Sequence, residues 1–446
     1  MNKVGVANTF YPCHQMYPFL LVLAIYQSFF RAIIFSMPSL SDRLKALGVQ
    51  LGVQNLASSR PRIDFPIDTV VEGRVAETEF GEAYLVEQFI PEHQAHGPLP
   101  LRFPSSLKKL AAWAGDARLS LIAPERFLFL DTESTGLWGS GTFAFLVGLG
   151  RFEQGGFRQT QFFLREPIEE HAMLEALNGM ISAEDALVTF NGKSFDLPLL
   201  NGRYLTNGAP LPFRNLPHLD LLHIARRLWR QLLPSRALGD LEVQLLGVKR
   251  SQQDIPGWMI PQMYIDYLHT GDARPLAGVF YHNSMDVVSL AALLDHIAAK
   301  LAAPLEMVEH HSERYAIGRL LADIGFAEEA IEVFENTLSL ELPAETEYQL
   351  VENLACLFRR RGDYESALQL WQRAAADGYV YAHVEIAKYY EHRSGDLNQA
   401  LRYTQGAIEK LALTSTPTYE RIHWQPLLEH RLARLERKLA RQLGQA

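Results

Sequence analysis

The chain has 446 residues, more than one ordinary hydrophobic core holds, so two or more domains are expected. Its net charge of −9 argues against a strongly basic protein that coats nucleic acid, although a local basic groove is compatible with it. The two cysteines, Cys13 and Cys356, belong to no CxxC pattern. Neither a disulfide framework nor a zinc site is therefore indicated, and a reducing cytoplasm fits.

The first 36 residues differ in character from the rest of the chain. An apolar run at residues 19–35 contains Arg31 and is shorter than the ~20 apolar residues that a membrane span needs. No clear cleavage site of a secretory signal follows it. At Met37 a capped helix start is predicted, with Ser39 as the N-cap. We interpret Met37 as the natural start and residues 1–36 as an extension, with a membrane anchor as the alternative.

Residues 37–105 are predicted to hold a short helix, a linker and a β-hairpin. The run Ala83–Val86 favours a strand, preceded by a Phe-Gly turn. His93 and His96 have a spacing that could bind metal on one helix face. Because a Gly-Pro pair follows them directly, ordinary loop histidines are favoured.

Residues 106–303 show the pattern of an α/β domain. Three strands in a meander are followed by helices that alternate with strands, which is the element order of a ribonuclease-H-like mixed sheet with flanking helices. The last helix carries apolar residues at helical spacing, which predicts one buried face. The predicted elements are strands at Phe127–Leu130, Phe143–Gly150, Gln161–Leu164 and Leu187–Phe190, a helix at Glu169–Ile181, and a last helix with Val287, Leu290, Leu294 and Ile297.

Residues 304–446 are predicted to be all-helical. Three segments align with one another, each beginning with Gly and carrying an Ala at the same place, namely Ala330, Ala367 and Ala400, which are 37 and then 33 residues apart. A period near ~34 resembles tetratricopeptide repeats, in which the small Ala lets paired helices approach closely. A non-repetitive helical bundle is the alternative. Such a tail is an interaction surface for a protein partner that the sequence does not name.

Two carboxylates follow the first strand of the α/β region, in the run Asp131-Thr132-Glu133. Strand residues i and i+2 project to the same side, so Asp131 and Glu133 are expected to point into one site. Like charges raise each other's pKa unless a cation lies between them, so the pair predicts a divalent cation site. Asp-x-Glu is also common on solvated surfaces.

A third carboxylate follows the fourth strand. Asn191 and Gly192 suit a tight turn, Ser194 suits an N-cap, and Asp196 falls in the first turn of the next helix. The alternative is that Asp196 only complements the helix dipole.

The fourth carboxylate, Asp286, lies on the last helix of the α/β region. His282 precedes it by four residues and shares its helix face. A histidine or tyrosine beside a metal-bound carboxylate can serve as the general base for an attacking water. A capped helix with a surface histidine is the alternative.

Together, these segments resemble the DEDD superfamily of exonucleases, which includes polymerase proofreading domains. Its members carry Asp-x-Glu on the first strand, Asn…Phe-Asp after the fourth, and Asp four or five residues after a Tyr or His. More closely, residues 127–299 resemble a bacterial family of predicted exonucleases that has a ribonuclease-H-like domain and a tetratricopeptide tail. The resemblance rests on residues 130–133, 190–196 and 282–286, and it extends loosely over residues 37–400.

The resemblance implies 3′–5′ hydrolysis of single-stranded DNA or RNA by a two-metal mechanism. Two Mg²⁺ or Mn²⁺ ions, ~3.5–4 Å apart, would be bound by the four carboxylates Asp131, Glu133, Asp196 and Asp286. Hard cations prefer carboxylate oxygens, which suits a site without cysteine.

The general base departs from the family pattern. Superfamily members place Tyr four residues before the last Asp, or His five before it, whereas here His282 stands at minus four and Tyr281 at minus five. We favour His282, because helical geometry places it beside Asp286 and an imidazole accepts protons near neutral pH. Tyr281 is the alternative.

Contacts to a nucleic-acid strand are expected from two places. Arg226, Arg227 and Arg230, with Arg236 nearby, flank Trp229, and could hold phosphates while the indole stacks on a base. An amphipathic helix with an inward Trp and solvated arginines is equally compatible. The turn at Asn191 and Lys193 could touch a phosphate. Asp220 is expected to support the site from outside, and Asp240 and Glu242 are interpreted as surface charges.

Two other functions remain open from the sequence. One is a catalytically quiet ribonuclease-H-like scaffold that acts through its helical tail, although all four carboxylates are present. The other is a metal-dependent phosphatase or nucleotidase that uses the same carboxylates on small molecules. No membrane partner is expected.

Overall fold

The computed structural model describes residues 65–136, 141–413 and 418–444. The predictions for residues 1–36, for the start at Met37 and for the helix after it lie outside these ranges. No helix within them combines the length and apolarity that a bilayer crossing needs.

The centre of the structure is a seven-stranded mixed sheet in the order β1-β2-β7-β6-β5-β8-β9, and β3 and β4 form a separate two-stranded ladder. In chain order the strands are β1 (Arg74–Thr78), β2 (Gly81–Pro91), β3 (Ala95–His96), β4 (Leu99–Pro100), β5 (Phe127–Ser134), β6 (Ala144–Glu153), β7 (Gly156–Phe163), β8 (Ala186–Thr189) and β9 (His218–Asp220).

The strand order confirms the ribonuclease-H-like topology that the sequence predicts. Strands β5, β6 and β7 form the antiparallel meander, and β8 and β9 join β5 in parallel. The predicted hairpin forms as β1–β2 and extends this same sheet, because β2 pairs with β7 from Tyr84↔Phe163 to Pro91↔Gly156. His96 lies in β3, buried, where its Nε2 is 2.8 Å from Oγ of Ser289.

The helices flank the sheet and then form the entire second half of the described chain. They are α1 (Lys108–Ala114), α2 (Glu170–Asn178), α3 (Asp196–Thr206), α4 (Leu221–Trp229), α5 (Leu238–Leu241), α6 (Ile260–Thr270), α7 (Leu276–Ala302), α8 (Pro304–Met307), α9 (His311–Asp323), α10 (Ala327–Leu338), α11 (Ala344–Arg361), α12 (Tyr364–Ala376), α13 (Val380–Tyr389), α14 (Leu397–Leu411) and α15 (Thr418–Gly444). Single 3₁₀ turns lie at Ile67–Thr69, Ala117–Ser120, Pro124–Arg126, Pro167–Glu169 and Gly257–Met259, and π-helical turns at Glu242–Leu246 and Tyr390–Ser394.

Strand β5 is apolar throughout its first half because both of its faces are covered. Phe127 and Phe129 enter one hydrophobic cluster, whereas Leu128 and Leu130 enter another. The long helix α7 packs on β5, β6 and β7, and the four apolar residues predicted for its inner face are all buried. This packing brings α7 against the strand that ends in Asp131 and Glu133.

The helical region begins with α8 and packs mainly as successive pairs, α9 with α10, α11 with α12 and α13 with α14. Ala330, Ala367 and Ala400 each lie in the second helix of a pair and are fully buried, as close helix packing requires. Gly325, Gly362 and Gly395 precede those helices with positive φ. The helix pairs agree with the predicted helical domain, and its assignment to the tetratricopeptide class stays a prediction.

Candidate metal centre

The first two carboxylates lie where β5 leaves the core. Asp131 is opposite Gly148 of β6, and the register becomes irregular between Glu133 and Ser134. Both carboxylate residues are half-buried, and Thr132 between them is buried. The apolar strand thus carries its acidic end to the sheet edge, as the sequence predicts.

Asp196 reaches the same edge through the turn after β8. Asn191 adopts φ 68°, and the carboxylate of Asp220 accepts hydrogen bonds from the backbone N–H groups of Asn191 at 2.8 Å and Lys193 at 3.1 Å. Asp220 therefore supports the site from outside, as expected. The predicted N-cap at Ser194 is wrong: helix α3 begins at Asp196, and Phe195 precedes it without any side-chain cap.

Thr132 fixes the orientation of Asp196. Its Oγ1 donates a hydrogen bond to Oδ1 of Asp196 at 2.6 Å, and both side chains are buried. The backbone N–H groups of Thr132 and Asp196 also hydrogen-bond this carboxylate, which is therefore held by its own strand and helix.

Helix α7 fixes the orientation of Asp131. Nδ2 of Asn283 donates to Oδ2 of Asp131 at 2.9 Å, and Asn283 is itself held by Gln161, whose Nε2 donates to its Oδ1 at 2.9 Å. Asn283 is fully buried. Asn283 fits only because the residue facing it is Gly148. A Cβ at position 148 would collide with Oδ1 of Asn283 and would lie 2.8 Å from Cγ2 of Val287.

His282 faces the carboxylates from the same helix. Its Nε2 is 3.4 Å from Oδ2 of Asp286 and 3.9 Å from Oε1 of Glu133, while its Nδ1 is 2.8 Å from Oδ1 of Asp254. Ligand atoms of Glu133, His282 and Asp286 all lie within 4.8 Å of one another. Tyr281 points elsewhere, since its hydroxyl accepts a hydrogen bond from the backbone N–H of Ser251 at 2.9 Å.

The four carboxyl groups share an environment that disfavours their charge. Burial, followed by the charges of Asp286, Glu133 and Asp196, raises the pKa of Asp131 well above its usual value. Burial, followed by the charges of Asp286 and Asp196, raises the pKa of Glu133 well above its usual value, although Arg250 opposes it. Burial raises the pKa of Asp196 to about 6 against the hydrogen bond from Thr132. Burial also raises the pKa of Asp286, although Arg250 and His282 oppose it.

Arg250 brings a fixed positive charge to this cluster. Its Nη2 donates to Oδ1 of Asp286, and its Nε and Nη2 form a bidentate pair with Glu242 at 2.6 and 2.5 Å. The interpretation of Glu242 as a surface charge is wrong, because its side chain is buried by the π-helical turn and paired with Arg250. Asp240 is exposed, as expected.

The residues present fit a divalent cation. Hard cations take carboxylate oxygens, and this site brings together four carboxylates whose pKa values are all raised, first by burial and, for Asp131 and Glu133, also by other carboxylates of the cluster. A cation among them would remove the repulsion that the shifts express.

A cavity of about 450 Å³ opens beside the carboxylates. Its polar wall contains Arg250, Asp254, His282 and Asp286, and Ile255 belongs to its apolar wall. A volume of this size lies within the range of small-molecule pockets in proteins.

The predicted nucleic-acid contacts lie in two different settings. Lys193 is exposed on the turn before α3, and Arg226 and Arg230 are exposed on α4. Arg227 pairs with Asp323 of the helical region. Trp229 is fully buried and donates to Oε1 of Glu313 at 2.6 Å, so it is not available to stack on a base.

Sequence reasoning missed several residues of the site. Arg250, Asp254 and Gln161 gave no short-range pattern that ties them to the carboxylates. The strongest available signal is the run Gln159-Thr160-Gln161, three polar residues between apolar ones in β7, which predicts buried hydrogen-bond partners.

A model of the ribonuclease H superfamily matches residues 128–298, a range that contains all four carboxylates. With the strand order described above, the chain belongs to this superfamily. A relative in Bacillus subtilis (strain 168) is named "Uncharacterized protein YprB"; it is 32% identical over 318 residues, which cover 70% of this chain and 74% of that protein.

Among solved structures, the chain is similar to the family B DNA polymerase from the hyperthermophilic archaeon Pyrobaculum calidifontis, with 16% identity and a TM-score of 0.31. The match covers 55% of this chain and 34% of the polymerase chain. A likeness of this strength does not indicate function.

Proposed function

We propose that the protein is a metal-dependent 3′–5′ exonuclease that hydrolyses single-stranded nucleic acid. The observation that carries the proposal is the convergence of Asp131, Glu133, Asp196 and Asp286 from three separate elements, with the pKa of each carboxyl raised. Such shifts cluster at functional sites. The superfamily match supports a nuclease-type activity, and the 3′–5′ direction is supported by the resemblance of the motifs.

Asp131, Glu133, Asp196 and Asp286 would hold two Mg²⁺ or Mn²⁺ ions. Bound ions of this kind lower the pKa of a water and stabilise the leaving oxygen of a phosphodiester. The orientation of two ligands is already set by neighbours, since Asn283 holds Asp131 and Thr132 holds Asp196.

His282 would accept the proton of the attacking water at Nε2. Oδ1 of Asp254 lies 2.8 Å from Nδ1, so it fixes the ring and stabilises the imidazolium that forms. The water oxygen forms the new bond to phosphorus, and the bond from phosphorus to the 3′-oxygen breaks. Tyr281 is the weaker alternative, because its hydroxyl is engaged by Ser251 outside the cluster.

The end of the strand would enter the cavity beside His282 and Asp286. Lys193 and Asn191 lie on the turn that leads to Asp196, where a phosphate can be contacted. Arg226 and Arg230 are exposed and would guide more distant phosphates, with a smaller share for Arg227 because it is paired with Asp323. The helical region would offer its surface to a protein partner.

The test uses purified full-length protein with Mn²⁺ or Mg²⁺ and 5′-labelled single-stranded DNA and RNA of equal sequence. Asp131→Ala is run beside it, with Asp272→Ala, a half-buried aspartate that pairs with Arg274 outside the cluster, as the control. We expect a ladder that shortens from the 3′ end and is absent only from Asp131→Ala. No cleavage by folded, metal-bound protein would refute the proposal, and release of phosphate from mononucleotides instead would favour a nucleotidase.

A further inference from the structure

The guanidinium of Arg250 contacts three carboxylates, those of Glu242, Asp254 and Asp286. Its Nη1 lies 3.3 Å from Oδ1 of Asp254 and 3.2 Å from Nδ1 of His282, while the other two carboxylates differ in their surroundings. On one side it forms the bidentate pair with Glu242, whose side chain is 1% exposed. On the other side it contacts Oδ1 of Asp286, one of the four carboxylates of the candidate metal centre. The Arg250 side chain is itself 12% exposed, so water screens these charges weakly.

The charge of Arg250 is permanent. Arginine does not lose its proton in proteins, and its planar fork is held in place by a bidentate carboxylate. Glu242 therefore fixes Arg250 whether or not Asp286 is engaged. Oδ1 of Asp286 can accept a hydrogen bond from this guanidinium or coordinate a divalent cation, and the fixed positive charge of Arg250 disfavours binding of the cation.

We infer that Arg250 is a resident counter-cation that competes with a divalent ion for Asp286 and thereby sets the affinity of the metal centre. This inference rests on the proposed function. In this role, Arg250 and Glu242 have opposite effects on metal affinity, whereas the two members of a purely structural ion pair would not. Removing the positive charge of Arg250 frees Asp286, whereas removing the negative charge of Glu242 leaves Arg250 uncompensated beside the site.

The test is calorimetric titration of the full chain with Mn²⁺ alone. We expect Arg250→Gln to bind Mn²⁺ about tenfold more tightly, and Glu242→Gln about tenfold more weakly, as charge changes at this distance in a partly screened site imply. Arg250→Lys keeps the positive charge but loses the planar fork that pairs with Glu242, so its affinity should lie between those of the wild type and Arg250→Gln. Arg74→Gln removes an exposed Arg–Glu pair on β1 and should leave the affinity unchanged.

Unchanged or weaker Mn²⁺ binding by folded Arg250→Gln would overturn the inference and leave a structural ion pair. If Arg250→Gln does not fold, tighter or unchanged binding by Glu242→Gln would overturn it instead. Because the titration needs no substrate, a chain that binds Mn²⁺ but cleaves nothing refutes the nuclease and still tests Arg250. A wild-type chain that binds no Mn²⁺ refutes both.

Discussion

Asp286 is the carboxylate at which the opposing charges of the site meet. Arg250 donates to its Oδ1, and Nε2 of His282 lies 3.4 Å from its Oδ2. After burial, its negative charge is the largest cause of the raised pKa of both Asp131 and Glu133. The cluster is therefore costly to ionise without a cation, and the stability of the protein should depend on what neutralises it.

Replacing Asp131 with Asn should stabilise the protein when metal is withheld. The substitution removes one buried charge from the cluster and keeps an oxygen in nearly the same place, so we expect a gain of roughly 1–2 kcal/mol at pH 7. Thermal unfolding in chelator measures it. With Mn²⁺, the wild type should gain more stability than Asp131→Asn. Asp272→Asn, at an aspartate that pairs with Arg274 away from the cluster, should give no gain. A less stable Asp131→Asn would contradict the charge argument.

The two candidate bases can be ranked by substitution. His282→Ala should lower kcat by about 10²–10⁴-fold, because general-base catalysis contributes that much and no other described imidazole lies beside the carboxylates. Tyr281→Phe removes only the hydroxyl that accepts from Ser251 and should cost much less. Rates at saturating substrate decide between them. The reverse ranking would transfer the role to Tyr281.

The four carboxylates could be found from the sequence because each follows a local pattern, such as an apolar strand end or a turn before a helix. Their supporting partners could not. Thr132 meets Asp196 across 64 residues, and Asn283 meets Asp131 across 152. The burial of Glu242 was missed for a related reason: it depends on a π-helical turn and on Arg250, neither of which its neighbours in sequence reveal.

At the scale of elements, the site depends on how closely α7 approaches β6. Gly148 and Gly150 of β6 face α7, where a Cβ at either would lie under 3 Å from a Val287 methyl group. The absence of side chains at these positions lets Asn283 reach both Asp131 and Gln161. Helix position and carboxylate orientation are thus set by the same contact.

Gly148→Ala should disturb the site and the fold together. The added methyl group displaces Asn283, so we expect a loss of ~1–3 kcal/mol in stability and a larger loss of metal binding. Urea unfolding and Mn²⁺ titration measure the two effects. Gly202→Ala, at a helical position of α3 with open space around it, should be neutral or slightly stabilising. Equal behaviour of the two variants would show that the α7–β6 contact tolerates a side chain.

The strands of the sheet could be predicted where apolar residues follow one another without interruption. The residues at which each strand begins and ends could not. Strand β7 begins at Gly156, five residues before the predicted Gln161, because its first half pairs with the far end of β2. That pairing joins residues about 70 positions apart, and no local pattern specifies it.

At the scale of the molecule, the helical region and the sheet share one hydrophobic cluster. It runs from Ile90 on β2 to Ile386 on α13. A polar contact spans the same junction: Nζ of Lys300 lies 2.9 Å from Oε1 of Glu313, which also accepts from Trp229. The helical pattern predicted the tail, whereas this junction could not be read from the sequence, since it joins the ends of α4, α7 and α9.

Acid should destabilise the protein partly through His296, which lies in α7 near this junction. Burial, and secondarily Lys300, lowers its pKa to about 4 from 6.5, and its Nε2 is buried without a hydrogen-bond partner among the described residues. Between pH 6.5 and 4 the unfolded chain binds a proton that the folded chain refuses, so stability falls as the pH drops. The raised pKa values of the carboxylates act in the opposite direction, because there the folded chain takes up protons first.

His296→Leu removes only the histidine contribution. Its stability relative to wild type, measured by urea unfolding in chelator, should therefore rise by up to about 3 kcal/mol between pH 6.5 and 4. His430→Leu, at an exposed position of α15, should show no such trend, and a pH-independent difference for His296→Leu would mean that its ring is protonated in the folded chain.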